Sequence, residues 1–260
     1  MEIITLHDKS TLEKFLRKDT FLHIYEIGDL DDYFWKYTSW YGILQNDKLQ
    51  EVALLFTGLS TPTFLFLSSG GLSAKEFLLS VQNFLPSAFY MHISTGLYDI
   101  LSEKFKLVSH GKHYKMSLVN KEIVQSIESN EVIQLNMDDR KEILDLYSTS
   151  YPGNWFELKM LQTGMYYGLK KDGKLESIAG VHVFSKDYKV AALGNITTHP
   201  DYRARGFGTS VTAMLCKNLL KHVTHIGLNV KQDNHAAIKC YKSIGFEITS
   251  EYEEFTVEKR

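Results

Sequence analysis

The sequence predicts a mixed α/β (α+β) fold in which a central sheet is flanked by helices. Apolar runs of strand length alternate along the chain with segments of helical periodicity, a pattern typical of mixed α/β layers. Hydrophobic residues make up 44% of the 260 residues and aromatic residues 13%, which is ample for packed cores. This length allows one large domain or two small ones.

The first half of the chain is predicted to begin with helices and to continue mainly as strands. The first forty residues have helical periodicity, and Ser10-Thr11-Leu12-Glu13 matches a capping box. An aromatic cluster at residues 29–40 is typical of a core and less often lines a ligand site. The remaining elements of this half are expected as strands at 41–44, 52–56, 63–67, 89–93 and 113–119, and as helices at 73–85 and 97–104.

The second half repeats the alternation of strands and helices. The polar stretch 120–130 lacks periodicity, so we place a domain boundary there, between domains at 1–125 and 126–260. The elements that follow are a strand at 132–135, a helix at 138–147, a strand at 190–196, a helix at 211–220, a strand at 224–230, a helix at 236–244 and a strand from 246. Gly245 is expected to end the last helix.

Two glycines and two arginines stand at the turn between the strand at 190–196 and the next helix. A helix start leaves backbone N–H groups unpaired and favours negative charge. Gly206 and Gly208 have no Cβ atom, so a phosphate oxygen can approach the backbone closely. Arg203 and Arg205 add positive charge beside it. The turn therefore predicts a pyrophosphate site, with simple turn chemistry as the alternative. A P-loop and a Rossmann fingerprint are excluded, because no Gly-Lys-Ser/Thr follows and the next strand carries Asn229 instead of an acid.

A second motif lies downstream, on the predicted helix that Asn234 can cap: Asn234-x-x-Ala237-x-x-x-Tyr241-x-x-x-Gly245-Phe246. With Arg203-x-x-Gly206-x-Gly208, it resembles the GCN5-related N-acetyltransferase (GNAT) superfamily, since both motifs occur in order on the elements that the family would use. The run 194–203 is most similar to the glycine N-acyltransferase-like branch. The resemblance implies the GNAT fold, whose mixed central sheet is mostly antiparallel.

For function, the resemblance implies an acyl-CoA-dependent N-acyltransferase. Such an enzyme moves an acetyl or other short acyl group from CoA to the amine of a small molecule or amino acid, directly within a ternary complex. Acetyl-CoA or another acyl-CoA would be the co-substrate, and no metal is expected. A non-catalytic CoA-binding module is the alternative. A relative of the enzymes that transfer amino acids from tRNA to cell-wall peptides is disfavoured by the intact loop and a net charge of −2.

The resemblance also implies roles for single residues. Backbone groups of Ile196 and Thr198 would pair with the pantetheine amides, and one N–H would polarise the thioester carbonyl. Asn234 would contact the pantetheine arm. Tyr241 would protonate the departing thiolate, since a phenol is protonated at neutral pH, or would only pack against the sulfur. The implied CoA-binding residues are Ile196, Thr197, Thr198, Arg203, Ala204, Arg205, Gly206, Phe207, Gly208, Thr209, Asn234 and Tyr241.

The sequence departs from the family pattern at the positions where relatives carry the general base. Many relatives carry a glutamate at the position of Asn229, and glycine N-acyltransferases that use glutamate carry it near Ala192. An amide and a methyl group cannot accept a proton. His182 is one replacement candidate, although a lone histidine on an apolar strand is more often a core residue. The others are Glu253 and Glu254. A water relay or an acceptor amine that is already neutral would need no side-chain base, and no base is assigned.

An internal repeat supports a tandem arrangement. Residues 41–53 align without a gap with residues 167–179, with Tyr, Gly, Lys, Leu and Ala identical, and residues 101–108 loosely resemble 241–248. We infer two tandem GNAT-like halves, with chance similarity of two hairpins as the alternative. The first half is degenerate, because Ser68-Ser69-Gly70-Gly71-Leu72-Ser73 offers glycines but no arginine. The first half is expected to form part of the wall of the acceptor pocket. The segment 151–156 either covers the acceptor site or is a plain structural loop.

Charge and cysteine content bound the partners and the compartment. A net charge of −2 gives no case for binding nucleic acid or an anionic membrane. The first eight residues are too acidic and polar for a signal peptide, and no apolar run approaches about 20 residues. Cys216 and Cys240 are expected as thiols in a reducing compartment. We therefore expect a cytoplasmic monomer or homodimer that acts on a small-molecule amine.

Overall fold

The computed structural model describes residues 2–68 and 70–260. The strands are β1 Glu2–Leu6, β2 Thr38–Gln45, β3 Lys48–Phe56, β4 Thr63–Phe66, β5 Ala88–Ser94, β6 Phe105–Leu118, β7 Val132–Gln134, β8 Tyr167–Lys171, β9 Lys174–Ser185, β10 Val190–Thr198, β11 His225–Lys231 and β12 Phe246–Lys259. The helices are α1 Lys9–Leu16, α2 Ile24–Gly28, α3 Asp32–Trp35, α4 Leu72–Val81, α5 Lys121–Ser126, α6 Arg140–Ser150, α7 Phe207–Leu219 and α8 His235–Ile244. Short 3₁₀ turns include Tyr98–Leu101 and Leu158–Thr163. Within the described ranges, no helix is both long and apolar enough to cross a membrane.

The chain forms two compact units. Unit 1 comprises residues 1–115 and 249–260, and unit 2 comprises residues 116–248. The limits of the units fall inside the two long strands β6 and β12. The assignment of domains to 1–125 and 126–260 stays a prediction, because compact units and ancestral domains need not share limits.

Unit 1 is built on a sheet with the strand order β1-β2-β3-β4-β5-β12. The neighbouring strands are antiparallel except β4 and β5, which are parallel because the chain crosses from one to the other through α4. The buried face of α4 contributes Ala74, Phe77, Leu78 and Val81 to the core. Phe77 packs on Phe66, with ring centroids 5.0 Å apart.

Unit 2 contains the strand order β11-β10-β9-β8-β7. Its parallel pair is β10–β11, joined through α7, and β7 to β10 pair antiparallel. The α7 helix buries an apolar face against this sheet, with Val211, Leu215 and Leu219 fully covered. The predicted mixed, mostly antiparallel sheet flanked by helices is therefore confirmed.

The two repeated sequence segments form hairpins of the same register. Tyr41 pairs with Ala53 in the β2–β3 hairpin, and the aligned Tyr167 pairs with Ala179 in the β8–β9 hairpin. Each ladder has its register shift at the aligned position, between Ile43 and Leu44 and between Leu169 and Lys170. The turn residues all have positive φ, at 52° for Asn46, 57° for Asp47, 50° for Asp172 and 76° for Gly173.

Several predicted elements were wrong. The first residues form strand β1, which pairs with β2, rather than a helix. The Ser10 capping box is absent, since the Asp8 side chain accepts the backbone N–H groups of Ser10 and Thr11 and so caps α1. The segment 97–104 forms only a 3₁₀ turn, and the stretch at 120–130 contains helix α5, capped by Asn120.

Candidate functional site

The site is organised around the point where β10 and β11 separate. Their parallel ladder runs from the pair Val190–His225 to the pair Leu193–Leu228 and stops there. Strand β10 nevertheless continues to Thr198, and β11 continues to Lys231. Beyond Leu193, the backbone edge of β10 that faces β11 is no longer paired with it. An extended ligand with amide groups can pair with such an edge as an additional strand does.

A bulge in β10 begins at the same point. The β9–β10 register shifts between Ala192 and Leu193 and again between Gly194 and Thr197. Asn195 lies in this bulge, with φ at 55° and only 3% of its surface exposed. Its carbonyl oxygen accepts a hydrogen bond from the Tyr147 hydroxyl at 2.7 Å. The bulge is therefore tied to α6 as well as to the sheet.

His182 lies directly against the bulge. A Cβ atom built on Gly194 would overlap the imidazole ring of His182, so the ring occupies the space that the missing side chain leaves. Gly180, which pairs with Gly194 from strand β9, has the same arrangement, because the Tyr166 ring fills the space beside it. The structure thus places His182, one of the proposed replacement bases, beside the bulge.

The loop after β10 ends at an uncapped helix start. Gly206 precedes α7 with φ at 83°, and no side chain among the described residues caps the helix. A Cβ atom at Gly206 would meet nothing within 4 Å, so this position requires glycine for its left-handed backbone rather than for space. Ala204 is also left-handed, with φ at 60°. Unpaired N–H groups at the start of a 13-residue helix suit an anion.

The predicted anion-binding residues form a connected path from β10 to α8. Arg203 Nε donates to the Thr198 carbonyl at 3.2 Å. The Gly208 Cβ position lies 3.4 Å from Thr198 Oγ1, and Thr209 Oγ1 lies 3.4 Å from Cys240 Sγ. Arg205 lies over the ring of Tyr202, at 5.1 Å from its centroid. Both arginines are exposed, so their charges flank the helix start.

The second motif has the predicted local structure. The Asn234 side chain accepts the backbone N–H of Ala237 at 3.2 Å and so caps α8. Gly245 ends the helix with φ at 106°. Tyr241 lies on the buried face of α8, next to Cys240 in sequence, and is 8% exposed. Burial raises the pKa of the Tyr241 phenol, so its proton is retained at neutral pH.

The other candidates for a base have different environments. Asn229 is the first residue of β11 beyond the last pair with β10, and its Oδ1 is buried without a hydrogen-bond partner among the described residues. Glu253 and Glu254 belong to unit 1. There Glu253 accepts the backbone N–H of Gly96 at 3.3 Å, and Glu254 bonds to the hydroxyls of Tyr90 and Tyr252.

The corresponding edge of unit 1 is closed. The β4–β5 ladder reaches the pair Phe66–Ile93, and the Ser94 hydroxyl then bonds both the N–H and the carbonyl of Ser68, at 2.8 and 2.9 Å. Gly71 precedes α4 with φ at 108°, and no arginine lies in this loop. Ser69, part of the predicted glycine loop, lies outside the described residues. Among its described residues, unit 1 therefore lacks the open strand edge that unit 2 has.

Sequence reasoning missed two residues of the site, Tyr147 and Tyr166, together with the hydrogen bonds that join both of them to Asn195. The Asn195 side chain donates to the Tyr166 hydroxyl at 3.0 Å, and this hydroxyl donates to the Val181 carbonyl at 3.0 Å. Tyrosines on a helix and before a strand carry no signal for such contacts, because the partners lie 15 to 48 positions apart. In the part of the chain that the structure describes, no group of three or more metal-ligating side chains is assembled.

Comparison with known proteins gives matches in the second half of the chain and over the whole fold. The profile of the Acetyltransferase (GNAT) family matches residues 130–246. The [ribosomal protein bS18]-alanine N-acetyltransferases of Escherichia coli K12 and Shigella flexneri are 35% identical over 81 residues, which is 31% of this chain and 53% of each relative. The chain thus spans about half the length of the curated relatives that it matches.

Solved structures share the fold across more of the chain. A Drosophila protein aligns with a TM-score of 0.71 over 98% of both chains at 13% identity. A putative GNAT-family acetyltransferase from Novosphingobium aromaticivorans aligns with a TM-score of 0.59 at 17% identity, over 84% of this chain and 91% of that one. A tandem GNAT protein of the clavulanic acid biosynthesis pathway aligns with a TM-score of 0.55 at 13% identity, over 99% and 98%. The chain has the GNAT fold, and its residues 130–246 are similar to the Acetyltransferase (GNAT) family.

Proposed function

We propose that this protein is an acyl-CoA-dependent N-acyltransferase. It transfers an acetyl or other short acyl group to the amine of a small molecule or amino acid, directly within a ternary complex. The observation that carries the proposal is the open backbone edge of β10 beyond Leu193, which leads to the uncapped start of α7. These two features suit the two chemically different parts of CoA, an amide-bearing arm and a pyrophosphate.

The described residues fit such a ligand. Bound acyl-CoA supplies the acyl group as an activated thioester. Ile196 lies on the open edge of β10, where its backbone can pair with amide groups. The Thr198 carbonyl already accepts Arg203 Nε, so Ile196 is the better partner of the two. The segment Arg203–Thr209 offers helix N–H groups and two cations to the pyrophosphate. Asn234, whose Oδ1 caps α8, would contact the arm through its amide Nδ2.

Tyr241 acts in this proposal as a hydrogen-bond donor to the departing sulfur. Its raised pKa keeps the hydroxyl protonated through the physiological range. A phenol with this property stabilises a developing thiolate by donating a hydrogen bond, and it remains neutral while doing so. The family resemblance implied that Tyr241 is the acid for the departing thiolate, and we propose that it fulfils this role as a hydrogen-bond donor.

No side chain is assigned as the base. Asn229 Oδ1 can accept a hydrogen bond but cannot take up a proton. His182 lies against Gly194, and a neutral imidazole nitrogen can accept a proton, which keeps His182 as a candidate. Without a base, the acceptor amine must lose its proton to solvent before it attacks. The amide at Asn229 is also the observation that favours the second candidate function, a CoA-binding module without catalysis.

We further propose that unit 1 is a degenerate GNAT-like half and that the protein belongs to the glycine N-acyltransferase-like branch. Five successive strands are in chain order in each unit, β1-β2-β3-β4-β5 in unit 1 and β7-β8-β9-β10-β11 in unit 2, and this order and the shared hairpin register support the tandem origin. The closed edge at Ser68 and Ser94 supports a loss of CoA binding in unit 1. A small-molecule amine is the proposed acceptor. The substrate named for the E. coli relative makes a protein N-terminal alanine the second possibility.

The test of this function is calorimetric titration with acetyl-CoA and CoA, followed by a free-thiol release assay over amino acids, polyamines and alanine-terminal peptides. We expect micromolar binding, on the order of common KM values, and thiol release with one amine class. Binding without release over the panel would favour the CoA-binding module. Absence of binding would overturn the proposal.

Gly206→Asp tests the loop directly. The change places a negative charge at the helix start and a side chain on a left-handed backbone, so acetyl-CoA affinity should fall at least about a hundredfold, or about 3 kcal/mol. Gly173→Asp is a matched control, because Gly173 is also left-handed, at 76°, and also has open space at its Cβ position. Tight binding by Gly206→Asp would contradict the assignment of the loop.

A further inference from the structure

The bulge of β10 is held by two buried tyrosines that lie outside β10. Tyr147 comes from α6 and is 3% exposed, and Tyr166 precedes β8 and is fully buried. The Tyr147 hydroxyl donates to the Asn195 carbonyl at 2.7 Å, and the Tyr166 oxygen accepts from Asn195 Nδ2 at 3.0 Å. The single residue Asn195 is thus held at its main chain by one tyrosine and at its side chain by the other.

The direction of these hydrogen bonds fixes the amide of Asn195. The single proton of the Tyr166 hydroxyl goes to the Val181 carbonyl, so its oxygen must accept, and only the Nδ2 side of the amide can donate. The Asn195 Oδ1 then has no protein partner among the described residues and is buried. The geometry therefore defines one orientation of the side chain.

The bulge requires such support. Asn195 has a left-handed backbone that non-glycine residues adopt rarely, although asparagine does so more readily than most. Its buried carbonyl faces neither a β9 nor a β11 partner, because the ladders to both strands are interrupted there. A buried carbonyl without a donor is costly, and the Tyr147 hydroxyl supplies the missing donor.

We propose that Tyr147 and Tyr166 are positioning residues for CoA. They hold the Asn195 bulge in the conformation that turns the Ile196–Thr198 backbone away from β11 and leaves it open to the pantetheine arm. This inference rests on the proposed function. Both tyrosines act through Asn195 and need no contact with the ligand.

The experiment compares Tyr147→Phe and Tyr166→Phe with the parent protein. Calorimetry measures affinity for CoA and for 3′-phospho-ADP, the part of CoA that lacks pantetheine. Each variant should bind CoA about three- to tenfold more weakly, as expected for the loss of the one hydrogen bond that each hydroxyl makes with Asn195, and should bind 3′-phospho-ADP with unchanged affinity. Tyr167→Phe is the matched control, because Tyr167 is also buried and its hydroxyl has no hydrogen bond within the described ranges.

A double-mutant cycle tests whether Tyr166 works through Asn195. Asn195→Gly retains a left-handed backbone but removes the amide, so it should weaken CoA binding about as much as Tyr166→Phe does. Adding Tyr166→Phe to Asn195→Gly should then cost nothing further. Full additivity of the two changes would show that Tyr166 acts by another route.

The possible outcomes distinguish a failure of this inference from a failure of the proposed function. A parent protein that binds neither CoA nor 3′-phospho-ADP refutes the proposed function, and this inference with it. Tyrosine variants that bind CoA as the parent does refute the inference alone. Equal losses for CoA and 3′-phospho-ADP, with a lowered Tm, would mean that the tyrosines stabilise unit 2 in general, which also overturns it.

Discussion

At the scale of single residues, Tyr241 is the most informative position. Its hydroxyl is proposed to donate a hydrogen bond to the leaving sulfur, and its burial keeps that proton in place. Tyr241→Phe should lower kcat by at least about tenfold, while acetyl-CoA affinity stays within about threefold, because the lost interaction develops with the thiolate. Steady-state kinetics and calorimetry measure the two effects. Unchanged kcat and affinity would show that Tyr241 only packs in α8.

A second prediction at this scale concerns Gly245, which ends α8. Its φ is 106°, and a Cβ atom there would overlap the carbonyl oxygen of Asn120. Gly245→Ala should therefore destabilise the protein by about 2–4 kcal/mol, since both the backbone and the neighbour must shift. Urea denaturation provides the measurement. Gly173→Ala, with φ at 76° and open space, is the control that carries the backbone cost alone, and equal losses in both variants would rule out the clash.

At the scale of elements, the sequence predicted the helices whose ends are set by nearby residues. It did not predict elements whose conformation depends on contacts with distant parts of the chain. The turn into α7 and the cap and end of α8 were predicted because glycine, asparagine and helical periodicity act within a few residues. Strand β1 was missed, since its conformation is set by pairing with β2, about forty positions away. The hydrogen bonds that hold the Asn195 bulge were not predicted, because Tyr147 and Tyr166 lie 48 and 29 positions away from Asn195 in the sequence.

At the scale of the whole molecule, unit 1 contains a buried ionisable cluster around Glu254. The imidazoles of His92 and His113 each lie 3.5 Å from its carboxylate, and Tyr90 and Tyr252 donate to it. Burial alone would raise the pKa of Glu254, but the two histidines and the two hydroxyls bring it below its usual value. Burial lowers the pKa of His92, against the attraction of Glu254.

These pKa shifts make the free energy of unfolding depend on pH. Because the folded pKa of His92 is lower than the unfolded pKa, the unfolded chain binds more protons as the pH falls below about 6.5, and the free energy of unfolding falls with it. Glu254 adds a loss of the same sign below about pH 4.5. Buried Asp29, whose pKa is raised by burial and by Glu26, contributes with the opposite sign.

The comparison of variants isolates His92. His92→Gln should make the free energy of unfolding less dependent on pH between 7 and 5 than it is in the parent, as measured by urea denaturation at each pH. His222→Gln provides a control histidine in unit 2. An unchanged slope in His92→Gln would show that His92 does not carry this dependence.

The strand order of unit 1 has a consequence for synthesis on the ribosome. Residues 252–258 of β12 pair with β5, and Phe255 and Val257 complete the core of that unit. Unit 2 is a continuous segment, 116–248, and is therefore available for folding before the residues that finish unit 1 have been made. Until then β5 has an uncovered edge of the kind that pairs with other chains. Unit 1, most of which is translated first, is thus the last to be completed, and its transient edge strand β5 can pair wrongly with other chains until then.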